Sequence, residues 1–427
     1  MIKWQQRIIL VSPFFHPELI STGKANRHLA DAFAAEGHGV TVVCSHPLYP
    51  EWRPTRSHAE LQGMKIIRGG AWMRYPKAMP LRRLLLEGWF ALYALHHLWR
   101  MRHRADVVVS VLPPSLFSFF LHRLLPRHVR RVAVVHDLQG VLAAQEKSAL
   151  RRAIIRLIHA VESRAFRSQD LCIFFSSDMA RTAERSYGLD PARVAVQYPC
   201  VTLPRGENRD AELRKRLEDR FPPDKVHVVY SGALGYKQNS RQLVRFLQAA
   251  AERFPDIRIH VLSGGPFFDE LQAQYGSRPG PRVEFHPLVA ERDLGELYAR
   301  SAIQIIPQAE GTEAAALPSK LPNLLAAGVL LLAICGEDSE VGRLIRQAET
   351  GIIVTRWDEE LFLTQLGKAL ETVRRESAAD RRMRVKPLLD QFSVAHTVRL
   401  AIGVEELPEM VAEAEPESAV VGSGAHG

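Results

Sequence analysis

Five short stretches combine residue types that could do chemistry at useful spacings. Ser21-Thr22-Gly23-Lys24 lies between an apolar run and an amphipathic one. A strand-to-helix turn there would offer free backbone N–H groups and the positive end of a helix dipole to an anion. The stretch is not a Walker P-loop, because Glu18 stands where its first glycine belongs and Ala25 where a serine or threonine would follow the lysine; a tight structural turn is the plain alternative. Ser231-Gly232-Ala233-Leu234-Gly235-Tyr236-Lys237 is the matching turn further on, with glycines that let backbone approach a phosphate and a lysine that adds a point charge. Gly264-Gly265-Pro266 forms a second glycine turn. Leu317 to Asn323 opens a helix that ends at Gly328, with Ser319 reading as its N-cap. Lys320, expected in that helix's first turn, is electrostatically misplaced unless an anion shares the position. His136-Asp137 closes an apolar run at the carboxyl end of a strand, where ligands collect in open α/β sheets; a structural histidine is the alternative there.

The elements that must position these residues alternate regularly. Arg7–Phe15 reads as a strand, His16–Gly23 as a loop, Lys24–Glu36 as a helix closed by Gly37, and Val40–Cys44 as a second strand. Lys65–Arg68, Asp106–Val111, Val132–His136 and Leu171–Ser176 continue the strands, with helical stretches such as Ala149–Arg167 between them. Continuous runs such as VVVSV and VAVV are what strands buried on both faces of a parallel sheet require. Prolines at 199, 204, 222 and 223 bracket a charged stretch, after which the rhythm restarts with Val226–Ser231, Arg241–Phe254 and Ile257–Ser263. The reading is therefore two tandem Rossmann-like domains, 1–200 and 201–403, with a last helix able to cross back to the first. Residues 404–427 hold six Glu and no Lys or Arg, the composition of a disordered acidic tail.

The 427 residues carry a net charge of +9. The first 200 hold 28 Lys/Arg against 14 Asp/Glu, and the remainder 28 against 33. The surplus is densest from Lys65 to Arg104, interleaved with Trp72, Tyr75, Trp89, Phe90, Tyr93 and Trp99. A basic segment with interfacial aromatics suits an anionic membrane surface; a solvated helix face over a buried one is the alternative, and no nucleic-acid module is present. Leu84 to Trp99 is too short and too interrupted, by Glu87, His96 and His97, for a transmembrane span. Four separated cysteines and no secretion signal make a reducing cytoplasm the expected compartment. No HExxH helix, G-x-S-x-G elbow or metal-ligand spacing occurs.

Taken in order, Ser12-Pro13-Phe14-Phe15-His16-Pro17-Glu18 with Thr22-Gly23-Lys24, His46-Pro47-Leu48-Tyr49-Pro50-Glu51-Trp52, His136-Asp137-Leu138-Gln139, Tyr230-Ser231-Gly232, Lys237-Gln238 and Pro318-Ser319-Lys320 with Asn323 resemble the family-4 retaining glycosyltransferases of the GT-B fold, above all their bacterial exopolysaccharide, colanic-acid-type branch. The resemblance spans about residues 7–403. It implies an α/β GT-B enzyme with two Rossmann-like domains facing a central cleft. Such an enzyme moves a sugar from a nucleotide-diphosphate donor, with retention, onto a lipid-linked oligosaccharide at the inner face of the cytoplasmic membrane. It implies His136 and Asp137 as the catalytic pair, Lys237, Ser319 and Lys320 at the diphosphate, and Leu288 beside the nucleobase. Gly23 and Lys24 then belong to a loop closing over the donor, and Gly232, Gly264, Gly265, Glu310 and Asn323 complete the donor set. The family's E-x7-E pattern would fall on Ala315 and Asn323, and its arginine after the turn glycine on Ala233, so Lys320 is expected to compensate. No cofactor is implied, and no metal, since no D-x-D occurs. A catalytically silent scaffold of the same fold and a nucleotide-sugar epimerase are the competing readings.

Overall fold

The computed structural model describes residues 5–18, 20–49, 51–142, 149–203, 217–276, 283–312 and 317–404; the acidic tail from 405 onward and Ala315 lie outside them. Seven strands form the first sheet: β1 Arg7–Val11, β2 Gly39–Ser45, β3 Met64–Gly69, β4 Val107–Leu112, β5 Arg130–Val135, β6 Leu171–Phe174 and β7 Val194–Val196, in the order β3-β2-β1-β4-β5-β6-β7. Six form the second: β8 Val226–Ser231, β9 Ile257–Ser263, β10 Val283–Pro287, β11 Ile303–Pro307, β12 Leu330–Ile334 and β13 Gly351–Val354, in the order β10-β9-β8-β11-β12-β13. Every named strand pair is parallel. The chain thus builds one doubly wound pattern twice, with order reversing between β1 and β4 and between β8 and β11, the switch points where such sheets bind ligands.

The unbroken Val/Ile/Leu runs follow from this architecture. All six residues of β4 and all five of β12 are buried, because helices cover both faces. In the first half Phe90, Ala94 and Leu98 of helix Met79–Met101 pack one face of the sheet with Phe117, and Leu29 and Phe33 of helix Ser21–Ala35 pack the other. Val398, Leu400 and Ala401 of the final helix Val394–Ile402 join that second face, each larger side chain stabilising the fold by roughly 1.5–3 kcal/mol. Arg130 holds the helix end by donating to the Ala401 and Leu400 carbonyls at 3.0 and 3.2 Å. The last helix therefore packs with the first domain.

Several boundaries differ from the sequence reading. β1 stops at Val11, since Ser12 to Phe15 turn away to carry side-chain contacts. The first helix begins at Ser21, three residues before the expected Lys24, which places Gly23 in its first turn instead of a preceding loop. Gly23 is tight there: a Cβ would meet that of Glu18 at 2.9 Å. β7 is too short to stand out by pattern. No helix among the described residues is long and apolar enough to cross a membrane.

Candidate active site

β5 ends at Val135 and delivers His136 and Asp137 to the carboxyl edge of the first sheet. Opposite them, the turn after β8 runs through Gly232, whose φ of +151° suits glycine, to a short 3-10 turn, Tyr236–Gln238. Lys237 Nζ donates to Asp137 Oδ1 at 2.9 Å, so the two halves meet through these two candidates. Ala309 N–H fixes the turn from below by donating to the Lys237 carbonyl at 2.8 Å. Lys24, at the first switch point, likewise pairs with Glu291 Oε2 of the second half at 3.2 Å, in the loop that follows Leu288.

The histidine sits differently from its neighbour. Its ring meets Phe175 edge-on, with 4.4 Å between centroids, and burial pushes its pKa down to about 4 against the partial pull of Asp137. It is neutral at physiological pH. Its Nε2 is buried and has no hydrogen-bond partner among the described residues, an arrangement that folded proteins seldom leave without a purpose.

Glu162 aims this loop. Its carboxylate accepts from Gln139 N and Gly140 N at 3.0 and 2.8 Å and from the Tyr187 hydroxyl at 2.5 Å. Desolvation raises its pKa, and the Tyr187 hydroxyl and the two backbone amides oppose the rise. Sequence reasoning passed over Glu162; its one signal is an acid four residues before the buried Phe166, on the apolar side of its helix. Glu18 plays the same part at the first switch point, accepting from Leu48 N and Tyr49 N at 2.8 and 3.2 Å.

The second half contradicts two expectations and refines a third. Ser319 is exposed and caps nothing; Lys320 occupies the N-cap position of helix Leu321–Ala327. Lys320 Nζ points inward, donating to Ser231 O at 3.2 Å and Ile305 O at 2.8 Å and lying 4.4 Å from the centre of the Tyr230 ring. The reason is the switch point itself: β8 and β11 stay in register only through Val228–Ile303 and Val229–Gln304, so beyond that carbonyls from both strands need a donor. Burial lowers the lysine's pKa to about 7. Asn323 is committed to the linker between halves, its Oδ1 accepting from Thr202 N at 2.7 Å and its Nδ2 donating to Thr202 Oγ1 at 2.9 Å, which takes it out of the expected donor-sugar contact.

Glu310 lines a cavity of about 670 Å³ with Gly235, Tyr236, Asn239, Phe267 and Trp357, beside Lys237. Gly264 and Gly265 follow β9 next to this cavity's helices, and a Cβ at either would meet nothing. Leu288 is half exposed after β10. Behind the cleft the halves are clasped reciprocally: Asp178 Oδ2 accepts from Glu340 N at 2.9 Å while Glu340 Oε2 accepts from Asp178 N at 3.2 Å. Each carboxylate thus sits at the other helix's N-terminus, and Arg343 bridges both at 2.7 Å.

Comparison with known proteins agrees with this arrangement. Residues 22–200 match the glycosyl transferase 4-like domain and residues 225–372 the glycosyl transferases group 1 family. The Escherichia coli K12 protein WcaI, named for colanic acid biosynthesis glycosyl transfer, is 26% identical over 358 residues, 79% of this chain and 85% of WcaI. A D-inositol 3-phosphate glycosyltransferase of Streptomyces scabiei is 25% identical over 225 residues, 49% of this chain and 48% of the relative. Among solved structures, WaaG, a glycosyltransferase involved in lipopolysaccharide biosynthesis, superposes with a TM-score of 0.68 at 17% identity, covering 92% of this chain and 99% of WaaG. Sucrose-phosphate synthase from Thermosynechococcus elongatus does so with 0.71 at 16%, covering 94% and 100%. The chain belongs to the glycosyltransferases of the GT-B fold, with a glycosyl transferase 4-like domain followed by a group 1 domain.

Proposed function

We propose that this enzyme transfers a sugar, with retention, from a nucleotide-diphosphate donor held by the second half to a lipid-linked saccharide met by the first, at an anionic membrane surface on the cytoplasmic side. The observation that carries the reading is the Lys237–Asp137 contact at 2.9 Å. It brings a partly exposed cation to the place where β8, its glycine turn and His136 converge. A leaving diphosphate there draws Lys237 away from Asp137. Preorganised charge of this kind is what transfer with retention needs, more than a strong base. Neutral His136 cannot supply a proton, and its unsatisfied Nε2 suits a donor-sugar hydroxyl instead.

The acceptor side has its own support. Leu81, Leu84, Leu92 and Trp99 are all more than half exposed and recur at steps of three, eight and seven residues, each near a whole number of helical turns. Opposite them Phe90, Ala94 and Leu98 are buried. The outward face of helix Met79–Met101 thus carries an apolar stripe, interrupted by exposed His96, with Arg100 and Arg102 at its end, the pattern of a helix lying in a membrane interface. Trp72, Trp89 and Leu92 line a cavity of about 480 Å³ with His46 and Arg68, a place for the acceptor beside the lipid. Vesicle flotation together with a transfer assay tests both parts. Wild type should float with anionic vesicles, and Leu81→Glu/Leu84→Glu, at two exposed positions outside that cavity, should stay in solution while still consuming a soluble acceptor. Equal flotation of the two proteins removes the membrane part, and absence of any glycoside product from every common nucleotide sugar removes the rest.

A further inference from the structure

One cluster of side chains lies outside everything described so far. Side chains alternate along a strand, so Glu284 and His286 of β10 share a face, and the register sets Glu284 beside His260 of β9. His260 Nδ1 lies 3.2 Å from His286 Nε2 and 3.6 Å from Glu284 Oε2, and His286 Nε2 lies 3.4 Å from the same oxygen. Three ligand atoms therefore stand at the corners of a nearly equilateral triangle. Tetrahedral zinc, with bonds of about 2.0–2.1 Å, separates any two of its ligand atoms by about 3.3–3.4 Å.

The protons are arranged to suit. His227 Nε2 faces the Pro222 carbonyl at 2.8 Å, which can only accept, so that nitrogen carries the hydrogen. His227 Nδ1 then accepts from His260 Nε2 at 3.0 Å, which leaves the lone pair of His260 on Nδ1, aimed at the triangle's centre. A metal-bound histidine is oriented in this way, through its other nitrogen. Arg258 lies 3.4 Å from Glu284 Oε1 and leaves Oε2 to the cluster. Phe221 packs against the His260 ring at 4.3 Å, and burial holds that ring neutral, its pKa pushed to about 3. Without an ion, the single His286 Nε2 proton serves both His260 Nδ1 and Glu284 Oε2.

We propose that His260, Glu284 and His286 bind one divalent cation of the zinc class, with water as the fourth ligand, fastening the edge strand β10 to β9. Two imidazoles and a carboxylate select zinc over calcium or magnesium. On binding, the His286 proton shifts from Nε2 to Nδ1 and the ion takes its place. The ligands stand 24 residues apart on neighbouring strands, which is why no spacing motif reveals them. This site is separate from the diphosphate site, and its test does not depend on transferase activity.

The full-length protein, purified without a metal-affinity tag and stripped with EDTA, is given zinc and assayed by elemental analysis and competition with a chromophoric chelator, then loaded with cobalt(II) for visible spectroscopy. One zinc per chain, a higher melting temperature with zinc and the d–d bands of four-coordinate cobalt are expected. His286→Ala and Glu284→Gln should lose all three, and His227→Ala should bind about 10- to 100-fold more weakly. Glu284→Gln preserves the strand's shape, so a melting temperature equal to that of stripped wild type separates lost ligation from misfolding. Wild type that retains no zinc, or variants that bind it equally well, would overturn the proposal.

Discussion

The two halves share a strand order and differ in how they hold their site loops. The first half uses carboxylates with little exposure: Glu18 accepts from Leu48 and Tyr49, Glu87 from Ser115 and Leu116, and Glu162 from Gln139 and Gly140. The second half does the reverse near its switch point. Helices Ser240–Arg253, Pro266–Tyr275 and Leu321–Ala327, which follow β8, β9 and β11, have no side-chain cap, whereas those after β12 and β13 are capped by Ser339 and Asp358. The lesson is one of charge placement. Under the proposed function, amide dipoles already neutralised by glutamates make a wall for an acceptor, and amide dipoles left open near Lys237 make a seat for a diphosphate.

That contrast can be broken from either side. The largest effect is expected from Lys237→Ala, which removes the cation that meets Asp137 in the cleft and should lower kcat by about 10²–10³, as loss of one charge-stabilising donor does; steady-state kinetics on the productive nucleotide sugar reads it. Glu162→Leu strips the partners from two backbone amides and the Tyr187 hydroxyl and should cost about 3 kcal/mol of stability, measured by urea unfolding, with kcat falling as the His136 loop loosens. Gly264→Asp puts a carboxylate where a Cβ meets nothing, beside an open helix N-terminus. Stability should hold while nucleotide affinity falls roughly threefold to thirtyfold, read by calorimetric titration.

The smallest effects, at most about 1.4 kcal/mol per pH unit for each group, are slopes with pH. Lys320 has a folded pKa of about 7 against an ordinary 10.5, so between those values the unfolded chain holds the proton and the native one does not, and stability rises with pH across that window. Lys320→Met should flatten the rise. His136, at about 4 against 6.5, acts by the same sign: stability falls as pH drops from about 6.5 to about 4, less steeply in His136→Gln. Unfolding midpoints across buffers check both.

Much of this was legible in the sequence, for physical reasons. Parallel strands buried on two faces must be continuous apolar runs, and β4 and β5 announce themselves that way; Val194–Val196 is too short to do so. The candidate residues His136, Asp137 and Lys237 were readable because they end strands or turns. What stayed hidden depends on tertiary pairing. Nothing in Pro318-Ser319-Lys320 says that strand separation at the switch point will draw the ammonium onto two carbonyls, or that Asn323 will be taken by Thr202. Buried glutamates such as Glu162 and Glu340 look like surface acids until their backbone partners are placed.

The most direct test of the central claim is calorimetric titration of UDP, GDP and ADP into wild type, Lys237→Ala, Gly264→Asp and Leu84→Glu. One nucleoside diphosphate is expected to bind wild type and Leu84→Glu alike and to bind more weakly to both Lys237→Ala and Gly264→Asp. Undiminished binding in those two variants would contradict a diphosphate seat between the open helix ends and the lysine that meets Asp137.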